Sequence, residues 1–126
     1  MGADRPDRRD RVTSSSELAP GRVVWAALEP VRGREQGGHR PVLVVASAGY
    51  LDAVTTLAIV LPITTTDRGW PNHVVVDGPS GLDRPSWIMT EQPRTLSRDR
   101  LTGTAGEVTE ECLASVRAWL GDFLEL

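Results

Sequence analysis

Five short apolar runs, divided by turn-forming residues, precede one segment with a different period. Arg22 to Leu28 (RVVWAAL) is rich in β-branched and aromatic residues and predicts a strand. Val42 to Ser47 (VLVVAS) and Thr55 to Thr64 (TTLAIVLPIT) are apolar without alternation, the pattern of strands buried on both faces. Pro62 marks a bulge or an edge in the second of these, since proline offers the ladder no N–H. Asn72 to Val76 and Ser86 to Thr90 predict two more strands, separated by a loop carrying Gly78, Pro79, Gly81 and Pro85. Asp67 to Pro71 reads as a turn-rich connection. Thr95 to Gly106 reads as irregular, with Arg98 and Arg100 exposed and room for a short turn of helix.

The last segment switches to a helical period. Cys112, Val116, Trp119, Leu120 and Phe123 fall on one stripe of an amphipathic helix. Thr109 can cap its N-terminus, and Glu110 and Glu111 sit where the helix dipole favours negative charge. Short strands followed by one helix predict a mainly β fold, a small sheet or partial barrel closed on one side by that helix. Trp25, Trp87 and Trp119 lie within apolar segments and are expected in the core, and Cys112 is expected to be inert packing.

The 126 residues suffice for one compact domain. Residues 1–19 are charged and Ser-rich with little to bury, so they predict a disordered tail, with order from Arg22 and one domain over 20–126. Asp4, Asp7 and Asp10 offset most of the tail's arginines. The net charge of -3 argues against a chain that coats nucleic acid non-specifically. Charge is unevenly spread, though: Pro30 to Arg40 holds three arginines against one glutamate, while five carboxylates against one arginine follow from Glu107 onward. A basic loop on an acidic body suits one local anion site. A single cysteine excludes an intrachain disulfide and fits a reducing compartment. No run reaches a membrane span and no apolar leader is visible, so a cytoplasmic protein without membrane contact is expected.

The strongest local chemistry lies in Arg32-Gly33-Arg34-Glu35-Gln36-Gly37-Gly38-His39-Arg40-Pro41. Its glycines let a ligand approach the backbone, its arginines match phosphate oxygens, and Pro41 stiffens the start of the second strand beneath Arg40. The stretch RGREQGGHRPVLVV, then AIVLPIT ending in Thr64, WPNHVVV, SWIMTEQPRTLSRDRL and GEV, in this order, resembles the MazF/PemK toxins. The resemblance runs from about Gly21 to the C-terminus.

It implies an SH3-like partial barrel of the MazF/PemK/CcdB kind and a homodimer blocked by a cognate MazE-like antitoxin. It also implies a sequence-specific endoribonuclease acting on single-stranded RNA, foremost mRNA. Arg40 and Thr64 are the implied catalytic pair. In such a reaction the RNA 2′-hydroxyl attacks the adjacent phosphorus, leaving a 2′,3′-cyclic phosphate and a 5′-hydroxyl. The substrate supplies the nucleophile, so a guanidinium and a hydroxyl that stabilise phosphoryl charge suffice, and no metal or cofactor is expected.

Glu35 fits as general base, or equally as the partner that holds Arg34 or Arg40. RNA contacts are expected from Arg32, Arg34, Gln36, His39, Thr65, Trp70, Gln92 and Arg94. Trp70 either stacks on a base or packs against its own domain, and Arg94 either binds RNA or pairs with a carboxylate such as Glu91. His39 has the right type for an acid, but the family motif tolerates other residues there. His73 is expected to be a structural hydrogen-bonder. Pro93 departs from the aliphatic residue usual in the family and puts the local ladder and Arg94 in question. The alternatives are a non-catalytic CcdB-like gyrase-binding toxin, disfavoured by the chain's different C-terminal residues, and a degenerate homologue that only binds antitoxin or RNA.

Overall fold

A computed structural model describes residues 17–28 and 38–126. Most of the N-terminal tail and the loop bearing Arg32, Arg34, Glu35 and Gln36 lie outside the described residues. The strands are β1 (Arg22–Ala27), β2 (His39–Val44), β3 (Leu57–Thr64), β4 (His73–Val75), β5 (Trp87–Met89), β6 (Arg94–Ser97) and β7 (Leu101–Glu107). Helix α1 (Ala48–Ala53) joins β2 to β3, and α2 (Glu110–Leu124) closes the chain. All pairings are antiparallel, in the order β4-β5-β3-β2-β1-β7, with β6 added to the early half of β3. No described helix is long and apolar enough to cross a membrane.

The continuous apolar runs are explained by cover on both sides of β1–β3. Val24, Ala26, Val42, Val44, Ala58 and Val60 face one core with Leu18, Leu51, Leu96 and Leu101. Their neighbours Val23, Leu43, Leu61 and Ile63 point the other way, against Val108, Cys112, Leu113 and Val116 of the α2 region. A strand with apolar packing on each face cannot alternate, which is what the sequence pattern requires.

Pro62 sits where β3 changes partner. Residues Leu57–Val60 pair with β6, and Ile63–Thr64 pair with β5. The Ile59 carbonyl accepts from Val45 on the β2 side. By alternation the missing Pro62 N–H therefore falls on the opposite side, in the gap between β6 and β5 where no ladder bond is lost. Helix α2 begins as expected, with the Thr109 hydroxyl accepting from Cys112 N at 3.1 Å. Burial pushes the Cys112 thiol up from its usual range, so it stays a protonated packing group.

Several sequence expectations need correction. Leu18, assigned to the tail, is 2% exposed, so packing begins before Arg22. Strand β2 starts at His39 rather than Val42, and Ser47 lies beyond it as the cap of α1, accepting from Tyr50 N at 3.0 Å. A six-residue helix is too short to show a period, so α1 left no pattern to read. The segment after Thr95 is ordered as β6, a 3-10 turn (Arg98–Arg100) and β7. The glycines of β7 weaken its strand signal, and pairing with β1 overrides that. Trp25, Trp87 and Trp119 are only half-buried, and Phe123, at the end of the helical stripe, is exposed.

Arg98 is the largest departure, since it is 3% exposed instead of solvated. Its guanidinium donates to Leu57 O at 3.1 Å, Leu51 O at 2.6 Å and Val54 O at 3.1 Å, fastening the end of α1 to β3. Removing it leaves buried carbonyls without their donor, so Arg98→Ala is expected to cost about 2–3 kcal/mol. Urea unfolding followed by circular dichroism checks this, and an unchanged midpoint contradicts it.

Candidate active site

Strands β2 and β3 pair Val44 with Val60, Leu43 with Leu61 and Val42 with Pro62. Continuing that register toward the strand ends brings Arg40 level with Thr64. Both line one cavity of about 340 Å³, together with Thr65, Thr66, Ser86, Gln92 and Arg94. Pro41, Pro62, Ile63, Leu28 and Met89 form its apolar walls. Five of the residues singled out from sequence, Arg40, Thr64, Thr65, Gln92 and Arg94, thus meet in one place.

The local structure orients each group. Arg40 stands on β2 opposite Ala26, directly before Pro41, whose ring restricts the backbone there. Thr64 ends β3, and its Oγ1 accepts from Thr66 N at 3.1 Å. That bond uses an acceptor site and leaves the hydroxyl proton to donate to a ligand. Arg94 opens β6 opposite Val60 and donates to Leu28 O at 3.4 Å. Pro93 precedes the strand and does not interrupt it, so the ladder and Arg94 are kept.

Among the described residues the lining holds two arginines, four hydroxyls and no carboxylate. An anion fits that lining better than a cation does. A larger cavity of about 630 Å³ lies beside the start of α2, but two carboxylates, Glu107 and Glu110, line it with the single guanidinium of Arg117, which suits a phosphate poorly. Among the described residues no cluster of His, Cys, Asp or Glu could hold a metal ion.

Other candidates lie elsewhere. His39 precedes Arg40 on the same strand, and successive side chains point to opposite faces, which explains its absence from the cavity lining. Arg32, Arg34, Glu35 and Gln36 are outside the described residues. Trp70 is 49% exposed, outside the cavity, with its ring 4.7 Å from His73 and the Arg68 guanidinium 6.0 Å from its centroid. Glu91 pairs with His73, not with Arg94, at 3.1 Å. This pairing bears out His73 as a structural hydrogen-bonder. Thr66, Ser86 and Met89 were not anticipated. Ser86 and Met89 lie in the SWIMTEQPRTLSRDRL stretch with no role assigned from sequence, and the β3–β5 pairing brings them to the site.

Burial pushes the Glu91 carboxyl up, but hydrogen bonds from His73, its own backbone and Gln92, with the charge of His73, outweigh this. The group is held below its ordinary value of 4.5. A depressed folded value contributes stability that is present above 4.5 and is lost as pH falls through the folded value. Glu91→Gln should therefore flatten the acid-side loss of thermal stability, and an unchanged slope in melting scans contradicts the assignment.

Comparison with known proteins identifies the family. The family model described as PemK-like, MazF-like toxin of type II toxin–antitoxin system matches residues 19–124. The chain is 36% identical over 98 residues to endoribonuclease EndoA of Bacillus subtilis strain 168, covering 76% of this chain and 84% of the relative. It is 31% identical over 99 residues to endoribonuclease toxin MazF of Escherichia coli K12, covering 78% and 86% respectively. The MazE-MazF crystal structure from Deinococcus radiodurans superposes with a TM-score of 0.74 at 32% identity, over 86% of this chain and 96% of that one. With a match that spans nearly all the described residues and the same mainly β fold closed by a C-terminal helix, the chain belongs to the PemK-like, MazF-like toxins of type II toxin–antitoxin systems.

Proposed function

We propose that the chain is an endoribonuclease toxin of the cytoplasm that cuts single-stranded RNA, mRNA foremost, at specific sequences and without a metal. A homodimer is the acting form, and a cognate MazE-like antitoxin neutralises it. The observation that carries this reading is the cavity at the ends of β2 and β3, where Arg40 and Thr64 stand together with Arg94 and, among the described residues, no carboxylate lines the wall. The named relatives are endoribonucleases, and the structural neighbour is a complex of MazE with MazF.

In the proposed reaction the 2′-oxygen attacks the neighbouring phosphorus while the bond to the 5′-oxygen breaks. A 2′,3′-cyclic phosphate forms, and the departing 5′-oxygen takes a proton from solvent water and leaves as a hydroxyl. Negative charge grows on the non-bridging oxygens, where the Arg40 guanidinium and the Thr64 hydroxyl stabilise it more than they stabilise the ground state. Glu35 takes the 2′-hydroxyl proton. Thr65, Gln92 and Arg94 hold the nucleotides at the cavity, Arg32, Arg34 and Gln36 act from the loop before β2, His39 acts from the first position of that strand, and Trp70 stacks on a base.

Folded protein incubated in EDTA with a long single-stranded RNA and DNA of the same sequence tests this reading. Discrete RNA fragments beside intact DNA are expected. A requirement for added divalent metal, or no cleavage of several unrelated RNAs, overturns it.

A further inference from the structure

The Trp70 loop and the turn before β6 are tied together at one carboxylate. Glu91 Oε1 accepts from Asn72 Nδ2 at 2.8 Å, and His73 Nε2 lies 3.1 Å from both carboxylate oxygens. Gln92 Nε2 donates to Glu91 Oε2 at 3.3 Å. Thr90, fully buried, closes the link by donating to Asn72 O at 2.8 Å and accepting from Asn72 Nδ2 at 3.2 Å. His73 is itself packed behind Trp70, and among the described residues its buried Nδ1 has no partner. Glu91 is thus the polar group that holds the ring in place.

Three donors converge on two oxygens, and only a carboxylate offers an acceptor at both. The consequence for Gln92 is specific. A carboxylate accepts only, so the Gln92 nitrogen must face Glu91, and the Met89 sulfur at 3.7 Å takes the same nitrogen. The Gln92 carbonyl oxygen is left as the atom available to a ligand in the cavity that Gln92 lines.

We propose that Glu91 is a positioning residue for substrate selection: it fixes the Trp70 ring and the direction of the Gln92 amide, so that a stacking face and a hydrogen-bond acceptor stand ready for RNA bases. It touches neither the phosphate nor the 2′-hydroxyl and works through these two neighbours. A glutamine at 91 presents an amide nitrogen to one of the three donors, loosening the Trp70 loop and letting the Gln92 amide turn over. Selection of bases relaxes, while the charge stabilisation at Arg40 and Thr64 is untouched. The inference rests on the ribonuclease reading above.

The test compares wild type with Glu91→Gln and Asn72→Ala. Three readouts are needed: steady-state cleavage of one RNA oligonucleotide, the map of cut sites in a long RNA, and affinity for the oligonucleotide made uncleavable by a 2′-deoxy nucleotide at the cut. For Glu91→Gln, KM and Kd should rise about tenfold with kcat within about threefold, and the set of cut sequences should widen. Asn72→Ala keeps the carboxylate and should show the same split at a smaller size.

A fall in kcat with KM unchanged, or no change in any readout, overturns the proposal. Failure of Glu91→Gln to fold, with Asn72→Ala unaltered in KM and cut sites, also overturns it, since Glu91 then only holds the fold. The uncleavable oligonucleotide separates the two readings. Wild type that binds it yet cuts no RNA contradicts the ribonuclease reading alone, whereas undiminished affinity in Glu91→Gln contradicts this one.

Discussion

Arg40→Ala is expected to slow RNA cleavage by roughly 10²–10³-fold, the usual cost of removing one charge-stabilising donor from a transition state. The loss should fall on kcat more than on KM, because charge on the phosphoryl oxygens grows as the reaction proceeds. Arg40 is exposed at the end of β2, so its removal should leave the fold and its melting temperature nearly unchanged. Thr64 and Arg94 would then be left in the lining without the guanidinium beside Thr64, and rescue by Arg40→Lys should be poor. A lysine supplies charge without the planar fork that spans two phosphate oxygens. Initial rates on one oligonucleotide, with circular dichroism as the folding control, decide this. An unchanged rate in folded Arg40→Ala removes the residue from the chemistry.

The largest expected loss of stability comes from Gly81→Ala, in the loop between β4 and β5. Gly81 has φ +81, a conformation that costs an alanine strain by itself. A Cβ built there would also lie 2.0 Å from Ala105 O and 2.7 Å from Ala105 C on β7. Both are backbone atoms of a strand paired to β1, so neither can give way without disturbing the ladder. The loop's grip on β7, including Glu107 N donating to Pro79 O at 3.1 Å, must loosen instead. The expected cost is about 4 kcal/mol, enough to lower the melting temperature by roughly 10–20 °C. Gly103→Ala is the control, since among the described residues nothing lies within 4 Å of a Cβ there. Equal melting temperatures for the two variants would contradict the account of this loop.

The parts of the fold legible in the sequence are those whose burial is one-sided or complete over several residues. Strands β1 and β3 announce themselves because cover on both faces demands apolar residues in succession. Helix α2 does so through its stripe and the Thr109 cap. Helix α1 and the strands β6 and β7 are held by partners distant in sequence: Arg98 reaches Leu51 over 47 residues and Arg100 reaches Ala27 over 73. Nothing near Arg98 marks it as buried, and a charged residue in a polar stretch reads as solvated until its three carbonyl acceptors are seen.

The site divides in the same way. The residue types in the loop before β2 point to an anion, but pairing Arg40 with Thr64 came from family resemblance, and its physical basis is the β2–β3 register. Alternation along β2, legible in principle, separates His39 from Arg40 once the strand is known to begin at His39. The partner of Glu91 was not legible, because His73 lies 18 residues away on a different strand, while Arg94 lies close by in sequence.

The central claim is that substrate RNA supplies the nucleophile and the protein supplies only charge stabilisation and proton transfer. Mass spectrometry of the products from one RNA oligonucleotide, cut by the folded protein in EDTA, tests this most directly. The account predicts a 2′,3′-cyclic phosphate on the upstream product, a 5′-hydroxyl on the downstream one, and no cleavage when the cut nucleotide is 2′-deoxy. Products bearing a 5′-phosphate and a free 3′-hydroxyl, or cleavage of the 2′-deoxy oligonucleotide, would contradict it.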